Sequence, residues 1–233
     1  MKKLIIFDCD GVLVDSEIVA NRVFAEILTK FGYPLTPEDS IKRFTGIDCK
    51  SANNLISQES GIIFPNNLAD LTDQAILQAL EEKLAPLMLP VLTHDLLQNV
   101  DKCVASNSPR NQVLRSLAIT KQNPYFKEEH VFSAKQVQNP KPAPDLFLFA
   151  AQQLGYHPND CLVIEDSPTG IQAARSAGMS VIAFLGGGHA RSDWYREYIQ
   201  NQGVPIASTH QELITIIQNF LPITAHEEAS IAP

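Results

Sequence analysis

The chain has 233 residues, of which 45% are hydrophobic and 19% charged, and it carries a formal net charge of −8. These values are typical of a globular protein with one large domain, or one domain with an insertion. The acidic balance and the lack of a Lys or Arg run argue against nucleic-acid and membrane-surface binding. No apolar stretch reaches the roughly 18 residues of a membrane span.

The N-terminus and the cysteines predict a cytoplasmic protein. Met1-Lys2-Lys3 leads into a short apolar run without a small-residue cleavage site, so no signal peptide is expected. The cysteines are scattered and form no Cys-x-x-Cys pair, which favours reduced thiols over a zinc site. We expect a monomer or a weak homodimer.

The N-terminal third begins with one strand and continues as helices. Lys3–Phe7 is predicted as a buried strand, and the spacing of apolar residues predicts a helix over Val14–Phe31. Thr36-Pro37-Glu38-Asp39 predicts the N-terminus of a second helix, with a capping residue, a proline at the first helical position and two acidic residues in the first turn. Further helices are expected up to Lys83, and the proline-containing stretch Leu84–Thr93 is interpreted as a domain boundary.

The rest of the chain alternates between strands and helices. The predicted strands and the helices that follow them are Lys102–Ala105 with a helix from Pro109, Val131–Phe132 with Ala143–Leu154, Cys161–Ile164 with Pro168–Ala177, and Ser180–Leu185 with His210–Phe220. This alternation predicts an α/β fold, a Rossmann-like parallel sheet with helices on both faces. We expect residues 1–14 and 88–222 to form that core, residues 15–87 an inserted α-helical domain, and residues 223–233 a flexible tail.

Two carboxylates follow the first predicted strand directly, in Asp8-Cys9-Asp10-Gly11. In an extended segment the residues at i and i+2 face the same side, so Asp8 and Asp10 converge on one volume. Like charges at such a distance repel unless a cation or a proton lies between them. The pair therefore indicates a divalent-metal site, with a solvated turn as the alternative.

The other strand ends also carry polar groups. Ser106-Asn107-Ser108-Pro109 predicts a helix start capped by Ser108, which leaves Ser106 and free N–H groups as an anion site. Lys141, held between two prolines, suits the neutralisation of a phosphate, and Glu165-Asp166 ends the next strand. Taken singly, these segments are also explained as a cap, a loop and an acidic first turn. Because ligands bind at the carboxyl ends of parallel strands, together they predict one site.

These residue types fit the cleavage of a phosphate ester. Asp8 can attack phosphorus to give an aspartyl-phosphate, while Mg²⁺ and Lys141 offset the negative charge. Asp10 can protonate the leaving oxygen and later take a proton from water. Ser106 and the neighbouring Asn107 and Ser108 would hold the phosphoryl oxygens. Oxygen ligands favour Mg²⁺ over zinc.

The four motifs, in this order, resemble the haloacid dehalogenase superfamily, in its branch with a helical cap inserted after the first motif. The matching segments are Phe7-Asp8-x-Asp10-Gly11-Val12-Leu13, Ser106, Lys141 and Glu165-Asp166. The resemblance implies that Asp8 is the nucleophile and Asp10 the acid/base. It further implies that Mg²⁺ is held by Asp8, the Asp10 carbonyl, Glu165 and Asp166.

Two groups within that branch compete. The β-phosphoglucomutase group carries a His where this chain has Ala20, which disfavours a mutase. The stretches Asp15-Ser16-Glu17 and Arg43-Phe44-Thr45-Gly46 are similar to bacterial 6-phosphogluconate phosphatases. We therefore expect a phosphatase of a small phosphorylated metabolite, a sugar or sugar-acid phosphate such as 6-phosphogluconate. A mutase and an inactive regulatory or binding module remain as alternatives.

Substrate choice is expected to lie in the cap. Arg43 and Lys50, which flank a turn at Gly46, are candidates for contacting the non-reacting end of the substrate, with a solvated basic surface as the alternative. Gly186-Gly187-Gly188-His189 follows another predicted strand. A plain flexible loop is the favoured interpretation there, and a position near the site is the alternative.

Overall fold

The computed structural model describes residues 2–44 and 47–221, and in these residues one six-stranded sheet is found. Its strands are β1 (Leu4–Phe7), β2 (Asp101–Ser106), β3 (Val131–Ser133), β4 (Cys161–Glu165), β5 (Ser180–Phe184) and β6 (Ile206–Ala207). All neighbouring strands are parallel, in the order β3-β2-β1-β4-β5-β6.

Helices connect the strands and cover both faces of the sheet. Between β1 and β2 lie α1 (Ser16–Lys30), α2 (Pro37–Phe44), α3 (Cys49–Ser60), α4 (Leu68–Lys83), α5 (Leu89–Leu92) and α6 (Asp95–Gln98). The later helices are α7 (Arg110–Ile119), α8 (Asp145–Gln153), α9 (Pro168–Ser176), α10 (Asp193–Gln200) and α11 (His210–Phe220). The predicted α/β class, with its Rossmann-like parallel sheet, is confirmed.

The order of the strands determines where a ligand can bind. The chain runs from the central β1 outward through β2 and β3, then returns to place β4 on the other side of β1. In parallel sheets the crevice at such a reversal, beyond the carboxyl ends of the strands, is the usual ligand site. The ends of β1, β2 and β4 meet at this point.

Alternation along β1 divides the core into two layers. Ile5 and Phe7 are fully buried in a cluster that includes side chains of α7 and α11. Leu4 and Ile6 are equally buried in a second cluster, with side chains of α8 and α9. A strand buried on both faces reads as a continuous apolar run, as this one does.

Helices α1 to α4, here called the helical insertion, enclose a smaller apolar cluster of their own. Its buried members are Phe24, Leu28, Phe44, Ala52, Ile56 and Leu68. The two connections to the sheet run side by side, because Val14 forms bridges with Asp10 and Pro86. This pairing keeps Val14 out of the helix, so α1 begins at Ser16, two residues later than predicted.

Four of these elements, α5, α6, β6 and α10, were not predicted from the sequence. β6 has two residues, too few for a recognisable pattern, and α10 is an amphipathic helix in a polar stretch. The predicted tail at residues 223–233 and Gly46 lie outside the described residues. Among the described helices, none combines the length and the apolar character that crossing a membrane requires.

Candidate active site

A cavity of about 640 Å³ lies at the carboxyl edge of the sheet. Its lining includes the polar residues that the sequence places at four strand ends, namely Asp8, Asp10, Ser106, Asn107, Ser108, Lys141, Glu165 and Asp166. The helical insertion contributes Glu17, Ile41 and Lys42 from the opposite side. The parallel sheet thus gathers side chains that are far apart in sequence around one space.

Lys141 is the electrostatic centre of the cavity. Its buried ammonium donates to Asp8 Oδ1 at 2.7 Å and to Glu165 Oε1 at 2.8 Å. The same ammonium lies 4.6 Å from the centroid of the Phe147 ring, which stabilises the cation further. Lys141 therefore ties the end of β1 to the end of β4.

Asn107 holds the backbone of Lys141. The Asn107 side chain accepts a hydrogen bond from Lys141 N and donates one to Lys141 O, both at 3.1 Å. These two bonds fix the loop between β3 and α8 against the end of β2. The structure thus places the Asn107 side chain, predicted to bind substrate, on Lys141.

Asp10 accepts hydrogen bonds at both of its oxygens. Ser16 donates to Oδ1 at 2.7 Å, and Ser108 donates to Oδ2 at 2.6 Å. The prediction that Ser108 caps the following helix is therefore wrong, since its hydroxyl is drawn to the carboxylate. Pro109 takes the cap position, and no side chain caps the helix there. Ser106 Oγ accepts from Ser108 N at 3.0 Å, which leaves its own hydroxyl proton available for a ligand.

Glu165 is surrounded by donors. Its Oε2 accepts from Asp166 N, Ser167 N and Ser167 Oγ, each at 2.9 Å. Ser167 also caps α9 by accepting from Gly170 N at 3.1 Å. A side chain at Gly170 would overlap this carboxylate, since an added Cβ would lie 1.7 Å from Glu165 Oε1. The turn before α9 is thus shaped around Glu165.

The three buried carboxyl groups have shifted pKa values, in different directions. Burial raises the pKa of Asp8 well above its usual range, and Lys141 offsets this only in part. Burial also raises the pKa of Asp166. Burial acts in the same direction on Glu165, but Lys141 and the Ser167 donors outweigh it and lower the pKa of that carboxyl.

The three carboxylates fit a divalent cation. Asp8, Glu165 and Asp166 each offer an oxygen, and these oxygens lie within 4.8 Å of one another. Carboxylate oxygens are the ligands that Mg²⁺ prefers, and a cation among them would offset their mutual repulsion. The side chain of Asp10 is engaged with two serines and lies outside this cluster.

Two residues of the helical insertion that were predicted to contact substrate, Arg43 and Lys50, do not line the cavity. The guanidinium of Arg43 contacts the Tyr33 hydroxyl and the Glu59 carboxylate. Neither Arg43 nor Lys50 is among the described residues that line the cavity, and Gly46 lies outside the described residues. Adjacent helical positions differ by about 100° in direction, which explains why Lys42 lines the cavity while Arg43 faces elsewhere.

Sequence reasoning also missed Glu17 and the aromatic residues of α10. Burial, followed by the neighbouring Asp10, raises the pKa of Glu17 to about 7. Trp194 and Tyr198 line the cavity from α10. Helical periodicity could have placed Glu17 beside the first motif, but α10 itself had not been predicted.

The interpretation of residues 186–189 as a flexible loop is wrong. His189 is buried, and its Nε2 lies 2.8 Å from Asp166 Oδ2. Burial acts to lower the pKa of His189, but Asp166 outweighs this effect and raises it. The signal in the sequence was a His just beyond a fifth strand end, at the edge where the other polar groups lie.

Comparison with known proteins gives a consistent result. A family model described as haloacid dehalogenase-like hydrolase matches residues 5–184, which include every motif residue described above.

Two relatives and one solved structure show how far the similarity extends. The chain is 31% identical over 194 residues to a 6-phosphogluconate phosphatase of Escherichia coli K12, covering 79% of this chain and 83% of the relative. It is 30% identical over 178 residues to a fructose-1-phosphate phosphatase of the same organism, covering 76% and 94%. A conserved haloacid dehalogenase-like protein of unknown function from Agrobacterium tumefaciens is 34% identical with a TM-score of 0.85, covering 94% and 99%.

Proposed function

Because the chain belongs to the haloacid dehalogenase-like hydrolase family, we propose that it is a Mg²⁺-dependent phosphatase that works through an aspartyl-phosphate on Asp8. It is a phosphoric monoester hydrolase of phosphorylated sugar metabolites, and its proposed substrates are sugar or sugar-acid phosphates such as 6-phosphogluconate. The observation that carries the mechanism is the buried Asp8 carboxylate with Lys141 at 2.7 Å, in a cavity lined on its other side by the helical insertion.

Asp8 is the proposed nucleophile. Its Oδ1 is occupied by Lys141, so the other oxygen is the one that attacks phosphorus. The new bond joins this oxygen to phosphorus while the bond from phosphorus to the leaving oxygen breaks. Lys141 and the hydroxyl of Ser106 stabilise the negative phosphoryl oxygens as the charge moves.

Asp10 is the proposed acid and base. In its protonated form it gives its proton to the leaving alkoxide, and as a carboxylate it then takes a proton from the water that attacks the aspartyl-phosphate. That attack releases inorganic phosphate and restores Asp8. Ser16 and Ser108 contact one oxygen each, which fixes the direction of the carboxyl group.

The proposed metal ligands are Asp8 and Asp166, with Glu165 beside them and the Asp10 carbonyl as a further donor. When bound, Mg²⁺ would neutralise negative charge on the phosphoryl group. The charge of Mg²⁺ would also affect the ionisation of Asp8, the proposed nucleophile. Burial raises the pKa of Asp8, and a nearby cation would favour the carboxylate form, which is the nucleophile.

The helical insertion is the proposed cap, and Lys42 replaces Arg43 and Lys50 as its candidate for contacting substrate. Lys42 is exposed at the cavity and forms no ion pair with any described residue. A sugar-acid phosphate carries a second negative group at the end remote from the phosphate. Lys42 suits that group, whereas a neutral sugar phosphate would gain little from it.

A mutase is disfavoured by the surroundings of Ala20. This residue lines a second cavity of about 440 Å³, which shares Glu17, Asn107 and Ser108 with the first. A His at this position could donate or accept a proton, whereas the methyl group of Ala20 can do neither. A phosphorylated sugar intermediate would therefore lack the donor and acceptor that a mutase needs at position 20.

The test is phosphate release from a panel of 6-phosphogluconate, fructose 1-phosphate, glucose 6-phosphate, β-glucose 1-phosphate and phosphoglycolate. Each substrate is assayed with Mg²⁺ and with EDTA, and Asp8→Asn serves as the control. Release from a sugar phosphate that needs both Mg²⁺ and Asp8 is the expected result. Release that survives EDTA, or that survives Asp8→Asn, would refute the proposed mechanism.

A further inference from the structure

The turn after β5 contains a buried histidine that the proposed mechanism does not use. We propose that His189 is a positioning residue for the metal site, which holds Asp166 in the orientation needed to bind the cation. The inference rests on the proposed function, because it assumes that Asp166 binds a divalent metal.

The contact itself is close and enclosed. His189 Nε2 lies 2.8 Å from Asp166 Oδ2, which is within the distance of an ion pair. His189 is only 1% exposed, and it is not among the described residues that line the cavity. It therefore lies behind Asp166, away from substrate, where it acts on the ligand and not on the reacting atoms.

Asp166 is held at its backbone as well as its side chain. Tyr195 donates from its hydroxyl to Asp166 O at 3.1 Å, and its ring meets the His189 ring edge-on at 5.1 Å between centroids. One residue of α10 thus contacts both members of the pair. Such outer contacts orient metal-binding carboxylates.

Two glycines from different strand ends leave room for the imidazole. A Cβ added at Gly11 would lie 2.9 Å from His189 Cε1 and 2.1 Å from Asp166 Oδ2. A Cβ added at Gly187 would also lie 2.9 Å from His189 Cε1. The glycine of the first motif and the glycines after β5 therefore serve the same purpose. They let a histidine approach Asp166 from behind.

Packing, more than hydrogen bonding, holds the imidazole of His189 in place. In the part of the chain that the structure describes, neither His189 Nδ1 nor Nε2 has a hydrogen bond of good geometry, so the 2.8 Å approach of Nε2 to Asp166 Oδ2 is a close polar contact and not an aligned hydrogen bond. The ring is thus held by packing against Gly11, Gly187 and Tyr195, and its polar contact is with Asp166.

The experiment compares three variants of the full chain. His189→Gln keeps an N–H donor, His189→Leu fills similar volume without one, and His157→Gln is the matched control at an exposed histidine before β4. Mg²⁺ is titrated into each metal-free protein by calorimetry. The fluorescence of Trp194, the one tryptophan of the sequence, which lines the cavity, gives a second signal.

The Mg²⁺ dissociation constant is expected to rise about 10- to 100-fold in His189→Leu, the range found for lost outer contacts to metal ligands. His189→Gln should recover most of the affinity, and His157→Gln should match the unaltered protein. Phosphatase kcat at saturating Mg²⁺ should fall little in His189→Leu. Thermal unfolding without metal verifies that each variant is folded.

Two results would overturn the inference in distinguishable ways. If the unaltered protein binds Mg²⁺ and folded His189→Leu binds it equally well, His189 does not position Asp166. The same holds if Gln and Leu weaken binding equally. If the unaltered protein binds no Mg²⁺, the metal part of the proposed function fails, and this inference fails with it.

Discussion

The sheet edge and the helical insertion both line the cavity, but they hold their polar groups differently. At the sheet edge, Lys141 is buried between two carboxylates, and Asn107 fixes its backbone. In the insertion, Lys42 is exposed without a described ion pair, and Arg43 forms an exposed pair with Glu59. The first arrangement suits chemistry that needs fixed geometry, and the second suits adjustment to different substrates.

The largest expected difference concerns the two lysines. Lys141→Met should reduce kcat at least about a hundredfold, because one preorganised charge is lost. It should also destabilise the metal-free protein by about 3–5 kcal/mol, because buried carboxylates lose their partner. Lys42→Met should change the free energy of unfolding by less than about 0.5 kcal/mol, since Lys42 is exposed.

Urea unfolding and initial rates measure both effects. Added Mg²⁺ should restore part of the stability of Lys141→Met, because a cation can replace the lost charge. Equal unfolding free energies for the two lysine variants would remove the distinction between the two regions.

Two glycines, one at the sheet edge and one in the helical insertion, allow the two regions to be compared through backbone substitutions. Gly11 and Gly61 have nearly equal positive φ angles, +78° and +73°, but a Cβ at Gly11 overlaps Asp166 whereas a Cβ at Gly61 meets nothing within 4 Å. Gly61→Ala should cost about 1–2 kcal/mol from the backbone alone. Gly11→Ala should cost more and should abolish activity. Denaturant unfolding with phosphate-release assays measures both, and an active Gly11→Ala would contradict the close packing of the metal site.

Glu17 belongs to the helical insertion and lines the cavity that also contains the buried carboxylates of the sheet edge. Its pKa is about 7 in the fold, raised by burial, against about 4.3 in an unfolded chain. Between these values the unfolded state loses its proton first, so stability falls as the pH rises toward 7 and the loss is complete above it. Glu17→Gln should therefore stabilise the metal-free protein more at pH 8 than at pH 5.

The expected gain at pH 8 is about 1 kcal/mol, because the side chain faces an open cavity and water screens it. Thermal unfolding at the two pH values measures the gain. Glu26→Gln, at an exposed position of the same helix, is the control and should show no such dependence. A pH-independent effect of Glu17→Gln would mean that Glu17 is solvated like the rest of the insertion surface.

The smallest expected effect is on substrate choice. Lys42→Gln should raise KM for 6-phosphogluconate about 1.5- to 5-fold, the range for one exposed ionic contact, and leave KM for sorbitol 6-phosphate unchanged. Arg43→Gln is the matched control one residue along the helix and should alter neither KM. Steady-state kinetics on the two substrates test this. Equal changes for both would show that Lys42 does not recognise the remote anion.

Much of the fold and the centre of the site follow from local patterns. Leu4–Phe7 is a continuous apolar run because β1 is buried on both faces, and the strand–helix alternation implies a parallel sheet. Once the sheet is parallel, residues just after its strands must share one edge. For this reason the sequence alone predicts that four residues share one site, namely Asp8, Ser106, Lys141 and Asp166. In the structure all four line one cavity.

The tertiary structure determined in which direction each side chain points and which of several possible partners it contacts. Ser108 has the right neighbours for a helix cap, but Asp10, distant in sequence, takes its hydroxyl. Lys42 and Arg43 have similar charge, and only the packing of α2 determines which one faces the cavity. His189 follows three glycines, a pattern typical of a mobile loop, yet the space left by Gly11 admits it behind Asp166. Residue types and spacing thus determined which groups the site contains, whereas long-range contacts, which no local pattern encodes, decided how each group is used.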